Sequence, residues 1–242
     1  MARRHDHRSR IGSLARLVWT CGLLACAAGI SHAQTAPPTA VTFPSSDGGL
    51  VHADVYGTGP RGVVLVHGGR FNKSSWEKQA RELLSAGYRV VAFDFRGYGK
   101  STGPGQGDVF TAPLHLDVLA AVTHLRSTGA TTVAAIGGSL GGAAAARASI
   151  VSPGAIDRLV LLGSTPDDPG EQLAVRKLYI ATRDDVSGDG PRLPRLQAHF
   201  DVAPQPKELI LLEGDAHAQF MFETPLAGRV MQEILRFLGT AP

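Results

Sequence analysis

The chain has 242 residues, 43% of them apolar and 19% charged, which suits one large domain with a packed core and excludes wholesale disorder. The formal net charge of +3 is misleading, because residues 1–33 hold five arginines and one aspartate and leave 19 basic against 20 acidic side chains in the remainder. A domain so nearly neutral offers no basic face for nucleic acid.

The N-terminus has the layout of an export signal. Arg3, Arg4, Arg8 and Arg10 form a basic head, residues 14–30 are mostly apolar, and Ser31-His32-Ala33 is a small-x-small cleavage site. The apolar run is shorter than the roughly 20 residues that a membrane span requires. Residues 1–33 therefore read as a cleaved signal, residues 34–40 as a proline-bearing linker and residues 41–242 as one domain, periplasmic or secreted, with no membrane span once the signal is removed. Leu23-Leu24-Ala25-Cys26 loosely resembles a lipoprotein box, so a lipid anchor through Cys26 stands as the alternative. Both cysteines, Cys21 and Cys26, lie in this segment. The mature domain then has no disulfide, no thiolate metal site and no cysteine nucleophile.

Residues 41–43 and 50–56 flank Ser45-Ser46-Asp47-Gly48-Gly49 and predict a hairpin. Residues 62–66 are continuously apolar, as in a strand buried on both faces, and run into His67-Gly68-Gly69-Arg70. A helix is expected over 75–86 with Gly87 as its C-cap, then a strand over 89–93 that ends in Asp94-Phe95-Arg96-Gly97-Tyr98-Gly99-Lys100-Ser101. Apolar residues at 114, 118, 119, 122 and 125 mark a helix stripe. Further strands are expected at 131–136, 156–162, 177–181 and 208–212, and helices at 192–200 and 226–238. The gap 163–176 has room for one short helix and no lid domain. Strands alternating with helices imply an open, mostly parallel sheet covered on both faces, whose ligands sit at the carboxyl ends of the strands.

The chemistry centres on Gly137-Gly138-Ser139-Leu140-Gly141, which follows an apolar strand and precedes an alanine-rich helix. Strand, Gly-x-Ser-x-Gly, helix is the setting of a nucleophile elbow. A sharp turn there strains the serine backbone and demands small neighbours two residues away on either side. A serine hydroxyl needs a base, and the base an orienting carboxylate. Of the histidines in the mature chain, His217 alone follows the last strand and completes a Ser…Asp…His order. Thr182-Arg183-Asp184-Asp185 supplies two candidate acids after the preceding strand, of which Asp184 is chosen over Asp185. The oxyanion calls for two backbone N–H groups, from Leu140 and from the loop after the third strand, where Gly69 is preferred to Arg70. His67 is assigned to bracing that loop. Arg70, Phe71 and Phe220 are the candidate substrate contacts, near Trp76, Met221 and Phe222. No metal or organic cofactor is expected.

These residues together resemble the α/β-hydrolase superfamily over about residues 41–238. The resemblance rests on His67-Gly68-Gly69, the Asp94-x-Arg96-Gly97-x-Gly99-x-Ser101 loop, the elbow, and Asp184 and His217 in order. It implies an eight-stranded, mostly parallel sheet with helices on both faces and a Ser-His-Asp triad, and it implies a structural role for the Asp-x-Arg-Gly loop. Without a cap insertion after the sixth strand the chain is similar to small members such as dienelactone-hydrolase-like proteins and compact esterases. The elbow serine argues against dienelactone hydrolases, which use cysteine there, and against dehalogenases and epoxide hydrolases, which use aspartate. The expected activity is hydrolysis of a small-molecule carboxylic ester through an acyl-enzyme on Ser139. Thioester, amide or peptide cleavage by the same triad, and a non-catalytic binding domain on the same fold, are the alternatives.

Overall fold

The computed structural model describes residues 36–239. The export segment read over residues 1–33, and with it the alternative anchor at Cys26, lies outside the described residues. Strands β1 (Thr39–Pro44), β2 (Leu50–Tyr56), β3 (Arg61–Val66), β4 (Arg89–Phe93), β5 (Thr132–Gly138), β6 (Arg158–Leu162) and β7 (Arg176–Thr182) are followed by a two-stranded ribbon, β8 (Val186–Ser187) and β9 (Gly190–Pro191), and by β10 (Lys207–Leu212). Helices are α1 (Glu77–Ser85), α2 (His115–Ser127), α3 (Leu140–Val151), α4 (Leu193–Val202) and α5 (Ala227–Gly239). Eight strands make one sheet in the order β1-β2-β4-β3-β5-β6-β7-β10. β2 pairs antiparallel with both β1 and β4, and every other pairing within this sheet is parallel. This is the eight-stranded, mostly parallel sheet with helices on both faces that the resemblance implied.

Period-two side-chain alternation explains why the central strands read as continuous apolar runs. In β3, Val64 and Val66 enter the layer filled by Val118, Ala121 and Leu125 of α2 and by the alanines of α3. Val63 and Leu65 enter the opposite layer, with Leu83 of α1 and Val230, Ile234 and Phe237 of α5. Both layers exclude water, so residues 62–66 of the strand carry no polar side chain.

Boundaries moved where tertiary pairing outweighs local sequence. β1 begins at Thr39, inside the stretch read as linker, because Thr39 pairs with Val55. The helix expected from residue 75 opens as a 3-10 turn, Lys73–Trp76, capped by Asn72 Oδ1 accepting from the Ser74 N–H at 2.9 Å, and α1 follows. Between β6 and β7 the expected short helix is only a 3-10 turn, Gly170–Gln172. The ribbon β8–β9 and a 3-10 turn at Ala218–Glu223 had no signal in the sequence pattern. Among the described residues no helix is long and apolar enough to cross a membrane.

The parallel strands all point one way, so the loops after β3, β4, β5, β6, β7 and β10 gather at one sheet edge. The Asp94–Ser101 loop braces that edge. The fully buried Arg96 guanidinium pairs with Asp117 of α2 at 2.7 Å and with Asp47 of the β1–β2 turn at 2.5 Å. Its backbone N–H donates to Asp117 Oδ2 at 2.9 Å. Burial alone pulls the guanidinium pKa down, but hydrogen bonds to Asp117 and Asp47 outweigh it and the net shift is upward. One side chain thus ties the end of β4 to a helix and to the first hairpin, the structural role that the resemblance implied.

Candidate active site

Ser139 occupies the corner between β5 and α3 with φ +49° and ψ −117°, a region that non-glycine residues enter only under strain from their surroundings. Packing supplies the constraint. A Cβ on Gly137 would lie 2.6 Å from the backbone of Gly141, and one on Gly141 would lie 2.3 Å from the Val66 carbonyl oxygen. Only glycine fits at either place, which accounts for the spacing of the motif. The serine backbone is held from both sides, its N–H donating to Leu162 O at 3.0 Å and its carbonyl accepting from Gly142 N at 3.0 Å and Ser164 Oγ at 2.7 Å.

His217 opens the 3-10 turn after β10 and reaches across to this corner. Its Nε2 lies 2.9 Å from Ser139 Oγ, and its Nδ1 lies 2.6 Å from Asp185 Oδ2. With Nδ1–H donating to the carboxylate, Nε2 is left to accept from the serine hydroxyl. The acid here is Asp185 and not Asp184, and the expectation for Asp184 is corrected accordingly. The Arg183 and Asp184 N–H groups donate to Leu212 O and Gly214 O, both at 2.9 Å, prolonging the register of β7 with the chain after β10. That register leaves the Asp184 side chain in solvent. The next residue faces the other way, so Asp185 is 3% exposed and lies against His217.

Gly69 and Leu140, the candidate oxyanion donors, lie beside one another. Leu140 is the first residue of α3, and a Cβ on Gly69 would contact Leu140 Cδ2 at 3.5 Å. The Gly69 loop is fixed on three sides. Tyr98 OH donates to Gly69 O at 2.7 Å. The Gly68 N–H is taken by Gln219 Oε1 at 2.6 Å. His67 is buried and uses both ring nitrogens on backbone: Nε2 accepts from Phe95 N at 3.2 Å and Nδ1–H donates to Gly68 O at 2.9 Å. Burial pushes its pKa down and favours this neutral form. His67 is therefore a brace, as expected.

The expected substrate contacts are placed differently. The ring of Phe71 packs on Phe220 with centroids 4.8 Å apart, and the Arg70 guanidinium sits 5.8 Å from the Phe220 centroid. The turn closed by Phe71 N and Gly68 O at 3.0 Å directs this group toward the 3-10 turn after His217. None of the three walls the cavity that opens on Ser139; they form a group of their own beside Gly68. Trp76 and Met221 are buried core residues. The cavity, about 420 Å³, is walled by Phe110, Leu140, Ala143 and Thr165 and by the β8–β9 ribbon with Arg192. Sequence reasoning missed Gln219, Ser164 and Arg192. Gln219 and Ser164 sit two residues past His217 and two past the end of β6, where strand-end position was an available signal; Arg192 had none. Among the described residues no group of three or more His, Cys, Asp or Glu side chains is placed to hold a metal ion.

Comparison with known proteins supports the fold. The family described as alpha/beta hydrolase fold matches residues 62–203, more than half of the chain. A non-heme haloperoxidase of Rhodococcus erythropolis is 34% identical over 126 residues, 50% of this chain and 43% of that protein. The chain matches less than half the length of such curated relatives. Among solved structures, an esterase from Pyrococcus furiosus superposes with a TM-score of 0.70 at 18% identity, covering 85% of this chain and 91% of its own. An esterase from Exiguobacterium antarcticum gives 0.66 at 18% identity, covering 84% and 100%. With the family profile spanning the elbow, the Asp-x-Arg-Gly loop and the acid-bearing strand, the chain belongs to the α/β-hydrolase fold family.

Proposed function

We propose that this protein is a serine hydrolase that cleaves small carboxylic esters through an acyl-enzyme on Ser139, and that the signal read in residues 1–33 delivers it to the periplasm or the exterior. The observation that carries the reading is the unbroken relay from Ser139 Oγ to His217 Nε2 at 2.9 Å and from His217 Nδ1 to Asp185 Oδ2 at 2.6 Å. Ser139 Oγ attacks the acyl carbon as His217 Nε2 takes its proton. The developing oxyanion is held by the N–H groups of Leu140 and Gly69, a contribution of about 3 kcal/mol for a single such donor. His217 then returns the proton to the departing alkoxide, and the ester bond to the alcohol breaks. Water attacks the acyl-enzyme with His217 again as base, and the carboxylic acid leaves. Asp185 stabilises the imidazolium in both halves. Every proton moves between this chain's side chains and substrate or water. The two structural neighbours described as esterases and the short connection between β6 and β7 favour a small, accessible ester over a long acyl chain.

The test is Ser139→Ala. Turnover of p-nitrophenyl acetate and labelling by a fluorophosphonate both disappear in the variant while its circular dichroism is retained. Wild-type turnover by the folded alanine variant, or a wild-type protein that never takes the label, removes Ser139 from the reaction.

A further inference from the structure

Asp185 is short of partners for a buried carboxylate. Its Oδ2 is committed to His217 Nδ1. Its Oδ1 is buried and accepts no hydrogen bond among the described residues. A charge removed from water needs compensation, and among the described residues the group ion-paired with Oδ1 is Arg192, whose Nε lies 3.3 Å away. The contact is an ion pair without hydrogen-bond alignment, since Arg192 Nε also lacks a hydrogen-bond partner.

The ribbon explains how Arg192 comes to be there. Val186 pairs with Pro191 and Ser187 with Gly190, and the next rung is the Arg192 N–H donating to Asp185 O at 2.9 Å. A six-residue excursion therefore leaves the acid and brings an arginine back beside it. The same ribbon forms one wall of the Ser139 cavity through Ser187, Gly190 and Pro191, and Arg192 itself lines it. The other arginine lining the cavity, Arg195, is paired at 2.5 Å with Asp167, which lines it too.

We infer that Arg192 is a positioning residue of this site, acting through Asp185: the ribbon β8–β9 seats its guanidinium against the free oxygen of the acid, so that the other oxygen stays aimed at His217. The inference rests on the reading of Ser139, His217 and Asp185 as the reacting relay. A guanidinium suits the role because it keeps its charge at every working pH and holds a fixed plane.

The experiment compares the wild-type protein with Arg192→Met, Arg192→Lys and Ser139→Ala on p-nitrophenyl acetate, with kcat and KM separated and folding followed by circular dichroism and thermal midpoint. Arg192→Met is expected to lower kcat about 10- to 100-fold with KM held within about twofold, the pattern of a residue that supports a reacting group without touching substrate. Arg192→Lys, which restores a positive charge, recovers most of the lost kcat. Should Arg192→Met fail to fold, Arg192→Gln carries the same readouts, since the backbone bond to Asp185 O is kept in either. Full activity in Ser139→Ala overturns the hydrolase reading and this inference together. An inert Ser139→Ala beside an Arg192→Met of wild-type kcat overturns this inference alone. So does a raised KM at unchanged kcat, which makes Arg192 a substrate contact, or a lysine variant no better than methionine.

Discussion

Replacing Asp185 by asparagine removes one charge and changes little in volume, and its cost can be worked from the geometry. The imidazolium formed during acyl transfer faces a carboxylate whose oxygen lies 2.6 Å from Nδ1. With charge centres about 4 Å apart and an effective dielectric constant of about 20, the lost attraction is about 4 kcal/mol. At about 1.4 kcal/mol per decade that is close to 10³-fold in kcat. The asparagine amide can also present N–H to Nδ1, which favours the tautomer with its proton on Nε2 and disables that atom as the base, carrying the loss toward about 10⁴-fold. The neighbouring Asp184→Asn serves as the comparison. Asp184 is exposed and contributes to the fold through its backbone N–H to Gly214 O, so its variant is expected to stay within about twofold of wild type. Steady-state kinetics on p-nitrophenyl acetate, with thermal midpoints to confirm folding, decide the matter. The reasoning fails if the two variants exchange behaviour, or if Asp185→Asn keeps a tenth or more of wild-type kcat, a loss of only about 1.4 kcal/mol.

The remaining predictions concern the braces. Hydrogen bonding from Arg96 holds the Asp47 carboxyl well below its ordinary value of 3.8, with burial opposing and Ser45 and the Gly49 N–H assisting. A carboxyl depressed in the folded state contributes its stability fully above the unfolded value and loses it as pH falls through the folded one. The difference in thermal midpoint between wild type and Asp47→Asn is therefore expected to be widest near about pH 7 and to narrow toward about pH 2.5, and a gap independent of pH contradicts the assignment. Gln219→Leu leaves the Gly68 N–H without its 2.6 Å acceptor, at a cost of about 1–3 kcal/mol visible in the urea midpoint. It is also expected to lower kcat, because Gly69 shares that loop; an unchanged urea midpoint rules out Gln219 as the brace.

Local periodicity carried most of the architecture in the sequence. The runs at 62–66 and 90–93 are apolar at every position because helices cover both sheet faces, and that pattern survives without any knowledge of partners. The elbow was equally legible as a motif, although only Gly137 is dictated by neighbours in sequence, Gly141 and Gly142, while Gly141 is dictated by the backbone of Val66 and His67. The acid was not. Asp184 and Asp185 share composition, charge and strand-end position, and only the pairing of β7 with the chain after β10 decides which side chain turns inward. The packing of Phe71 on Phe220 was hidden for a related reason: proximity to strand ends says nothing about which way a loop folds.

What the chain determined alone was the eight strands of the main sheet, the five helices, the Gly-x-Ser-x-Gly motif and the histidine that follows the last strand, because each is read from residues near in sequence. Tertiary structure alone decided which carboxylate serves His217, which loops wall the cavity and which arginine returns to the acid. Those outcomes depend on register between strands distant in the sequence, and a shift of one residue in register reverses the side that every side chain faces.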